Sequence, residues 1–196
     1  MMLAPNPKIK FVKQDFECKD IANELLCFKP DDKKLKYQLK AAQLSEDYYK
    51  SNNRGIISMP CGTGKTYTSY LVSKNYKNII ILSPLKEFAK QNLDKFIYYG
   101  WDGASVLVDS DGCRDIASIE KMTAGKTKLL ISATFKSADI IYKIISSLEN
   151  PFIIVDEFHN LTKTNILCKE DPFYKLLYDL NLKILFMSAT PRIYEL

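Results

Sequence analysis

Two short stretches put residues with chemical capability at spacings that nucleoside-triphosphate chemistry demands. Met59-Pro60-Cys61-Gly62-Thr63-Gly64-Lys65-Thr66 follows a β-branched run and opens a helical stretch. Gly62 and Gly64 let the backbone around Thr63 turn tightly, so that successive N–H groups face one anion. The start of the following helix adds partial positive charge. Lys65 is placed to reach β- and γ-phosphates, and the Thr66 hydroxyl to ligate Mg²⁺. The strict phosphate-loop pattern starts with Gly, whereas Met59 stands there in this chain. In the second stretch, the apolar run Phe152-Ile153-Ile154-Val155 ends at Asp156-Glu157-Phe158-His159. A carboxylate at a strand tip beside a phosphate loop can hold Mg²⁺ through water, and a second one can polarise the attacking water. Asp156 takes the first role and Glu157 the second. His159, the only histidine in the chain, joins them as a catalytic candidate.

These stretches need elements that bring them together. Apolar runs read as strands at Gly55–Met59, Asn78–Ser83, Ala104–Asp109, Lys128–Ser132, Phe152–Asp156 and Lys183–Ser188. Helical patterns fill most of the gaps: Lys34–Lys50 with Asp31 as a cap, Lys65 to about Tyr76, Pro84 to about Tyr99, Asp115–Met122, Lys136–Leu148 and Phe173–Leu180. Continuously apolar strands alternating with helices predict an α/β, three-layer domain with a mostly parallel central sheet. In such sheets ligands bind beyond the carboxyl ends of the strands, where both stretches fall. Residues 1–30 read as an extension packed on this domain, with a short strand at Lys8–Val12 and a short helix at Cys18–Leu26.

Gly-Thr-Gly-Lys-Thr at 62–66, Asp-Glu-Phe-His at 156–159 and Ser-Ala-Thr at 188–190 resemble motifs I, II and III of the superfamily 2, DExH-type helicases and translocases. Their order matches, with roughly ninety residues between the first two and about thirty between the last two. The resemblance covers the chain from about Lys34 onward and implies a P-loop NTPase, RecA-like motor domain over 31–196. It implies ATP as the nucleotide, Mg²⁺ as the cofactor and a second RecA-like domain in cis, absent from this sequence, that supplies arginines to the shared site. The isolated domain is then expected to be weakly active or inactive. Ser188 and Thr190 would couple nucleotide to nucleic acid, and Arg192 is a candidate near the cleft. Leu82-Ser83-Pro84-Leu85-Lys86 with Gln91 is similar to motif Ia. Ser132-Ala133-Thr134-Phe135-Lys136-Ser137 is similar to a later backbone-contacting motif. Ser83, Lys86, Gln91, Thr134 and Lys136 are therefore the nucleic-acid candidates. Tyr37-Gln38 resembles the Tyr-Gln that reads adenine in the restriction-enzyme-like and DNA-translocase branches, although Leu35 stands where those branches often have Arg. This pair leans the reading toward DNA rather than RNA.

Composition constrains the remainder. Of 196 residues, 46% are hydrophobic and 26% charged, ordinary for a globular domain. The net charge of +5 permits a nucleic-acid partner without requiring one. The five cysteines include no C-x-x-C pair, so neither disulfide nor zinc is expected and a reducing intracellular compartment fits. No apolar run is long enough to span a membrane. Frequent Lys, Ile and Asn suit an AT-rich genome, such as that of a large DNA virus or a parasite. Two other readings stay open: a regulatory or scaffolding module that keeps the fold without productive turnover, and a P-loop NTPase unrelated to nucleic acid.

Overall fold

A computed structural model describes residues 30–109, 115–123 and 127–189. Six strands form one sheet: β1 (Arg54–Ser58), β2 (Asn78–Ser83), β3 (Ala104–Val108), β4 (Leu129–Thr134), β5 (Phe152–Val155) and β6 (Lys183–Ser188). Their order across the sheet is β1-β6-β5-β2-β4-β3, and every pairing is parallel. The helices are α1 (Pro30–Tyr48), α2 (Lys65–Ser73), α3 (Lys86–Tyr98), α4 (Ile116–Thr123), α5 (Ala138–Ile145), α6 (Lys163–Leu167) and α7 (Pro172–Tyr178).

The sheet is covered on both faces, and residue alternation divides the cover. Ile80 and Leu82 of β2, Ile153 and Val155 of β5, and Ile184 and Phe186 of β6 pack with α4, α5 and α7. Ile79 and Ile81, Phe152 and Ile154, and Leu185 and Met187 pack on the opposite side with Val72 of α2 and Phe96 of α3. Ile79 to Leu82 are at most 1% exposed, which is why that stretch is apolar at every position rather than at alternate ones. Burying each such side chain contributes ~1.5–3 kcal/mol.

All strands run the same way, so all carboxyl ends share one edge. β5 and β6 are inserted between β1 and β2, which places the carboxyl ends of β1, β6 and β5 side by side. The Met59 N–H donates to Ser188 O at 3.1 Å, and the Asp156 N–H donates to Leu82 O at 2.8 Å. The motifs are thus locked by backbone bonds that continue the sheet past its strands.

Some element ends differ from expectation. The helix expected from Pro84 starts at Lys86, because Leu85 is extended at φ −127°, ψ 152°. The helix expected over Lys136–Leu148 is a 3₁₀ turn (Phe135–Ser137) followed by α5, with Thr134 Oγ1 and Ser137 Oγ bonded 3.1 Å apart across the turn. The helix expected to reach Tyr76 ends at Ser73, and Asp31 falls within α1 rather than before it. The short helix α6 was not expected. Thr162 opens it with a capping box completed by Asn165. Trp101 is core, 8% exposed, its indole N–H donating to Ala104 O. The expected strand at Lys8–Val12 and helix at Cys18–Leu26, together with Thr190 and Arg192, lie outside the described residues. No helix among the described residues is long and apolar enough to cross a membrane.

Candidate nucleotide and metal site

The loop between β1 and α2 turns on two left-handed glycines, Gly62 at φ 78° and Gly64 at φ 87°. Gly64 is the residue that enters α2, and a side chain there would also collide: a Cβ would lie 2.2 Å from Gln38 Nε2. Gln38 is 6% exposed and donates to Thr63 O at 2.8 Å, while Tyr37 Oη donates to the same carbonyl at 3.0 Å. Two side chains of α1 thus hold the loop by one carbonyl, while the Thr63 N–H turns back to Pro60 O at 3.4 Å. Thr63 closes the turn locally by donating from its hydroxyl to Pro60 O at 2.7 Å. Met59, which replaces the expected Gly, is 7% exposed and belongs to the core rather than to the cradle. Cys61 is an exposed free thiol on the loop.

The Lys65 ammonium pairs with Glu157 Oε1 at 3.1 Å, with side chains 13% and 21% exposed. The two motifs meet through this contact. Glu157 itself adopts φ 47°, ψ 48°, a left-handed conformation costing a non-glycine residue about 1–2 kcal/mol. Held strain of this kind gathers at working sites because the surrounding structure must over-determine it. Glu157 Oε2 is buried and receives no hydrogen bond. His159 Nδ1 lies 3.3 Å from it but 2.7 Å from Ser188 Oγ. Asn160 Nδ2 donates to His159 Nε2 at 3.2 Å, which leaves the ring proton on Nδ1 and directs it to Ser188. Glu157 Oε2 thus has the His159 ring at 3.3 Å but no hydrogen bond, an arrangement with a cost unless a ligand or water supplies one.

Asp156 lies on the other side of the same strand end. Its Oδ2 accepts from Asn92 Nδ2 at 2.9 Å. Burial pushes its carboxyl pKa up; the Asn92 hydrogen bond opposes this, the charge of Glu157 adds to it, and Lys65 pulls it back. Asn92 also donates to Ser83 Oγ at 3.1 Å and accepts from Thr66 Oγ1 at 3.5 Å. Thr66 at the start of α2, Ser83 at the end of β2 and Asp156 just past β5 are joined through this one amide, which motif reading passed over. Its signal was present: Ala89, Asn92 and Phe96 form the buried stripe of α3, and an amide in a core stripe calls for polar partners.

The expected nucleic-acid residues divide. Lys86, Gln91 and Lys136 are exposed. Ser83 has no exposed surface and Thr134 only 9%, and both hydroxyls are engaged inside the chain. Neither reaches a ligand from this conformation. Ser188 is likewise fully buried, held by His159.

The profile of a family described as Type III restriction enzyme, res subunit, matches residues 31–193. A probable helicase of African swine fever virus, from a South African tick isolate, is 28% identical over 187 residues, covering 87% of this chain and 21% of the relative. Its counterpart from a Kenyan pig isolate is 29% identical over 167 residues, covering 80% and 19%. The chain thus spans about a fifth of the length of the relatives it matches. Among solved structures, the Type ISP restriction-modification enzyme LlaGI in complex with a DNA substrate mimic shares the fold at TM-score 0.60 and 23% identity, over 81% of this chain and 17% of that one. The UvsW helicase of bacteriophage T4 shares it at TM-score 0.53 and 17% identity, over 75% and 51%. The profile match over most of the chain, on a parallel sheet whose motifs meet at one edge, identifies this chain as a member of the Type III restriction enzyme res-subunit family, carrying the first RecA-like domain of a superfamily 2 helicase.

Proposed function

We propose that this domain binds and hydrolyses ATP as the first half of a motor that moves on DNA. The contact between Lys65 and Glu157, beside the unsatisfied Glu157 oxygen, carries the reading. The backbone N–H groups of 62–66 and Lys65 would hold the phosphates, and Thr66 and Asp156 would hold Mg²⁺. A hydroxyl and a carboxylate are hard oxygen donors of the kind this ion takes. When bound, Mg²⁺ neutralises charge building on the phosphoryl oxygens.

The chain's own groups act as follows. Lys65 exchanges its partner, leaving Glu157 Oε1 for phosphate oxygens. Glu157 then has both oxygens free to orient water and accept its proton. His159 keeps its proton on Ser188, tying the acidic motif to the end of β6. Through that tie, Ser188 and the following Thr190 report the state of the nucleotide. Tyr37 and Gln38 would read adenine from beside the phosphate loop by giving up Thr63 O, the carbonyl to which both donate in the present arrangement. Lys86, Gln91 and Lys136 donate to the nucleic-acid backbone, which requires only positive charge and hydrogen-bond donors.

A second RecA-like domain in the same polypeptide completes the site, with residues 31–196 as the first and 1–30 as an extension of it. The greater length of the viral relatives supports this, and a viral source agrees with them. The choice of DNA rests on the Tyr-Gln pair and on LlaGI having been captured on a DNA mimic.

Titration with a fluorescent ATP analogue tests the binding half. Saturable binding that Lys65→Ala abolishes supports it. Equal binding by the variant removes Lys65 from the site and the phosphate-loop reading with it.

A further inference from the structure

We infer that Asn92 is a positioning residue for the metal: its side-chain amide holds Thr66 and Asp156 in the arrangement that Mg²⁺ requires. This rests on the nucleotide and Mg²⁺ reading above. Asn92 is 4% exposed and belongs to the inner stripe of α3, between Ala89 and Phe96. A purely structural position there calls for an apolar side chain. An amide is stable in it only if its polar atoms are satisfied.

They are satisfied by residues of the site. The amide nitrogen has two protons and two acceptors, Asp156 Oδ2 at 2.9 Å and Ser83 Oγ at 3.1 Å. The amide oxygen receives the Thr66 hydroxyl at 3.5 Å. These partners fix which end of the amide is which, because a carboxylate oxygen only accepts.

The same polarity is what a metal site needs. A hydroxyl that gives its lone pair to a cation must send its proton elsewhere, and Asn92 Oδ1 is the acceptor within reach. A carboxylate that faces a cation with one oxygen is oriented by a donor on the other, and Asn92 Nδ2 is that donor. Asn92 performs both tasks at once and anchors the pair to Ser83 at the end of β2. A leucine has the size but neither function. An aspartate keeps the acceptor and replaces the donor with a negative charge facing Asp156. Groups that orient metal ligands from behind usually change metal affinity by about 10–100-fold when lost.

The test uses the full chain and binding alone, without turnover. A fluorescent ATP analogue is titrated at a series of Mg²⁺ concentrations and in EDTA, for wild type, Asn92→Leu and Asn92→Asp, with thermal melts to show that each is folded. Wild type is expected to bind more tightly as Mg²⁺ rises. Both variants are expected to need about 10–100-fold more Mg²⁺ for the same gain, with binding in EDTA unchanged. Folded variants with the wild-type Mg²⁺ dependence would overturn the inference and leave the nucleotide reading intact. Equal loss of binding with and without Mg²⁺ would also overturn it, showing a role in loop structure alone. A wild type indifferent to Mg²⁺ would overturn the metal reading and this inference together. Should Asn92→Leu fail to fold, Asn92→Asp, which keeps the shape and the acceptor of the side chain but not its donor, decides the outcome.

Discussion

The carboxyl ends of β1, β5 and β6 differ in kind from those of β2 and β4, although all five share one edge of one sheet. In the first group the polar residues face one another: Lys65 meets Glu157, His159 meets Ser188, and Gln38 meets Thr63. In the second group, polar residues either turn inward, as Ser83 and Thr134 do, or stand on the surface as Lys86, Gln91 and Lys136 do. Chemistry on a phosphoryl group fixes both residue type and geometry. Contact with a phosphate backbone fixes only charge and donor count. One half of the edge is therefore held by contacts between motifs, whereas in the other the hydroxyls are tied inward and the long side chains stand at the surface.

Removing the constrained contacts should have the largest effect. Glu157→Gln keeps the shape and removes the charge, and hydrolysis should fall by about 10²-fold or more while the nucleotide still binds. Lys65→Ala should lose both, as rates and titrations would show. Gly64→Ala forces a left-handed alanine into the space of Gln38. It should cost about 1–2 kcal/mol and weaken nucleotide binding. Gln38→Ala in the same chain should relieve the collision but not the backbone strain, so only partial recovery is expected in a melt.

Asp156 should show the opposite sign in stability. Burial raises its pKa, so the folded state holds the proton more firmly than the unfolded one. The resulting cost is absent at pH values below the ordinary carboxylate range. It grows as pH rises through the folded value and is complete at neutral pH. Asp156→Asn, which can still accept from Asn92, should therefore melt higher than wild type near neutral pH and converge with it in acid. A variant that melts lower at neutral pH would contradict this.

The smallest effects should separate the two kinds of residue at the β2 and β4 ends. Lys86→Ala and Lys136→Ala should each weaken nucleic-acid binding modestly and reduce its salt slope by about 1. Ser83→Ala and Thr134→Val should leave that slope alone and lower stability by ~1 kcal/mol each. A salt slope altered by Thr134→Val would show that the inward-facing hydroxyls rearrange toward nucleic acid.

What the sequence made legible follows the same division. The run Asn78–Ser83 matched its strand because its middle, Ile79–Leu82, is buried on both faces and so is apolar at every position. The Gly-Lys-Thr and Asp-Glu stretches, singled out because few residue types suit phosphate chemistry, do meet at one edge through Lys65 and Glu157. The left-handed Glu157 was not, since nothing in a glutamate announces that conformation. Asn92 was hidden because its partners come from the ends of three elements distant in sequence. The start of α3 was misplaced because Pro84 fixes its own φ but not the extended Leu85 after it. Ser83 and Thr134 looked like surface donors because motif reading registers a hydroxyl and not the direction it faces.

The most direct test of the motor reading is ATP hydrolysis by a polypeptide that joins this chain to a second RecA-like domain, measured with and without DNA and RNA beside its Glu157→Gln variant. The predicted result is a rate stimulated by DNA more than by RNA, with the stimulated rate lost in the variant. An absence of hydrolysis under every condition, or a rate that Glu157→Gln leaves unchanged, would contradict it.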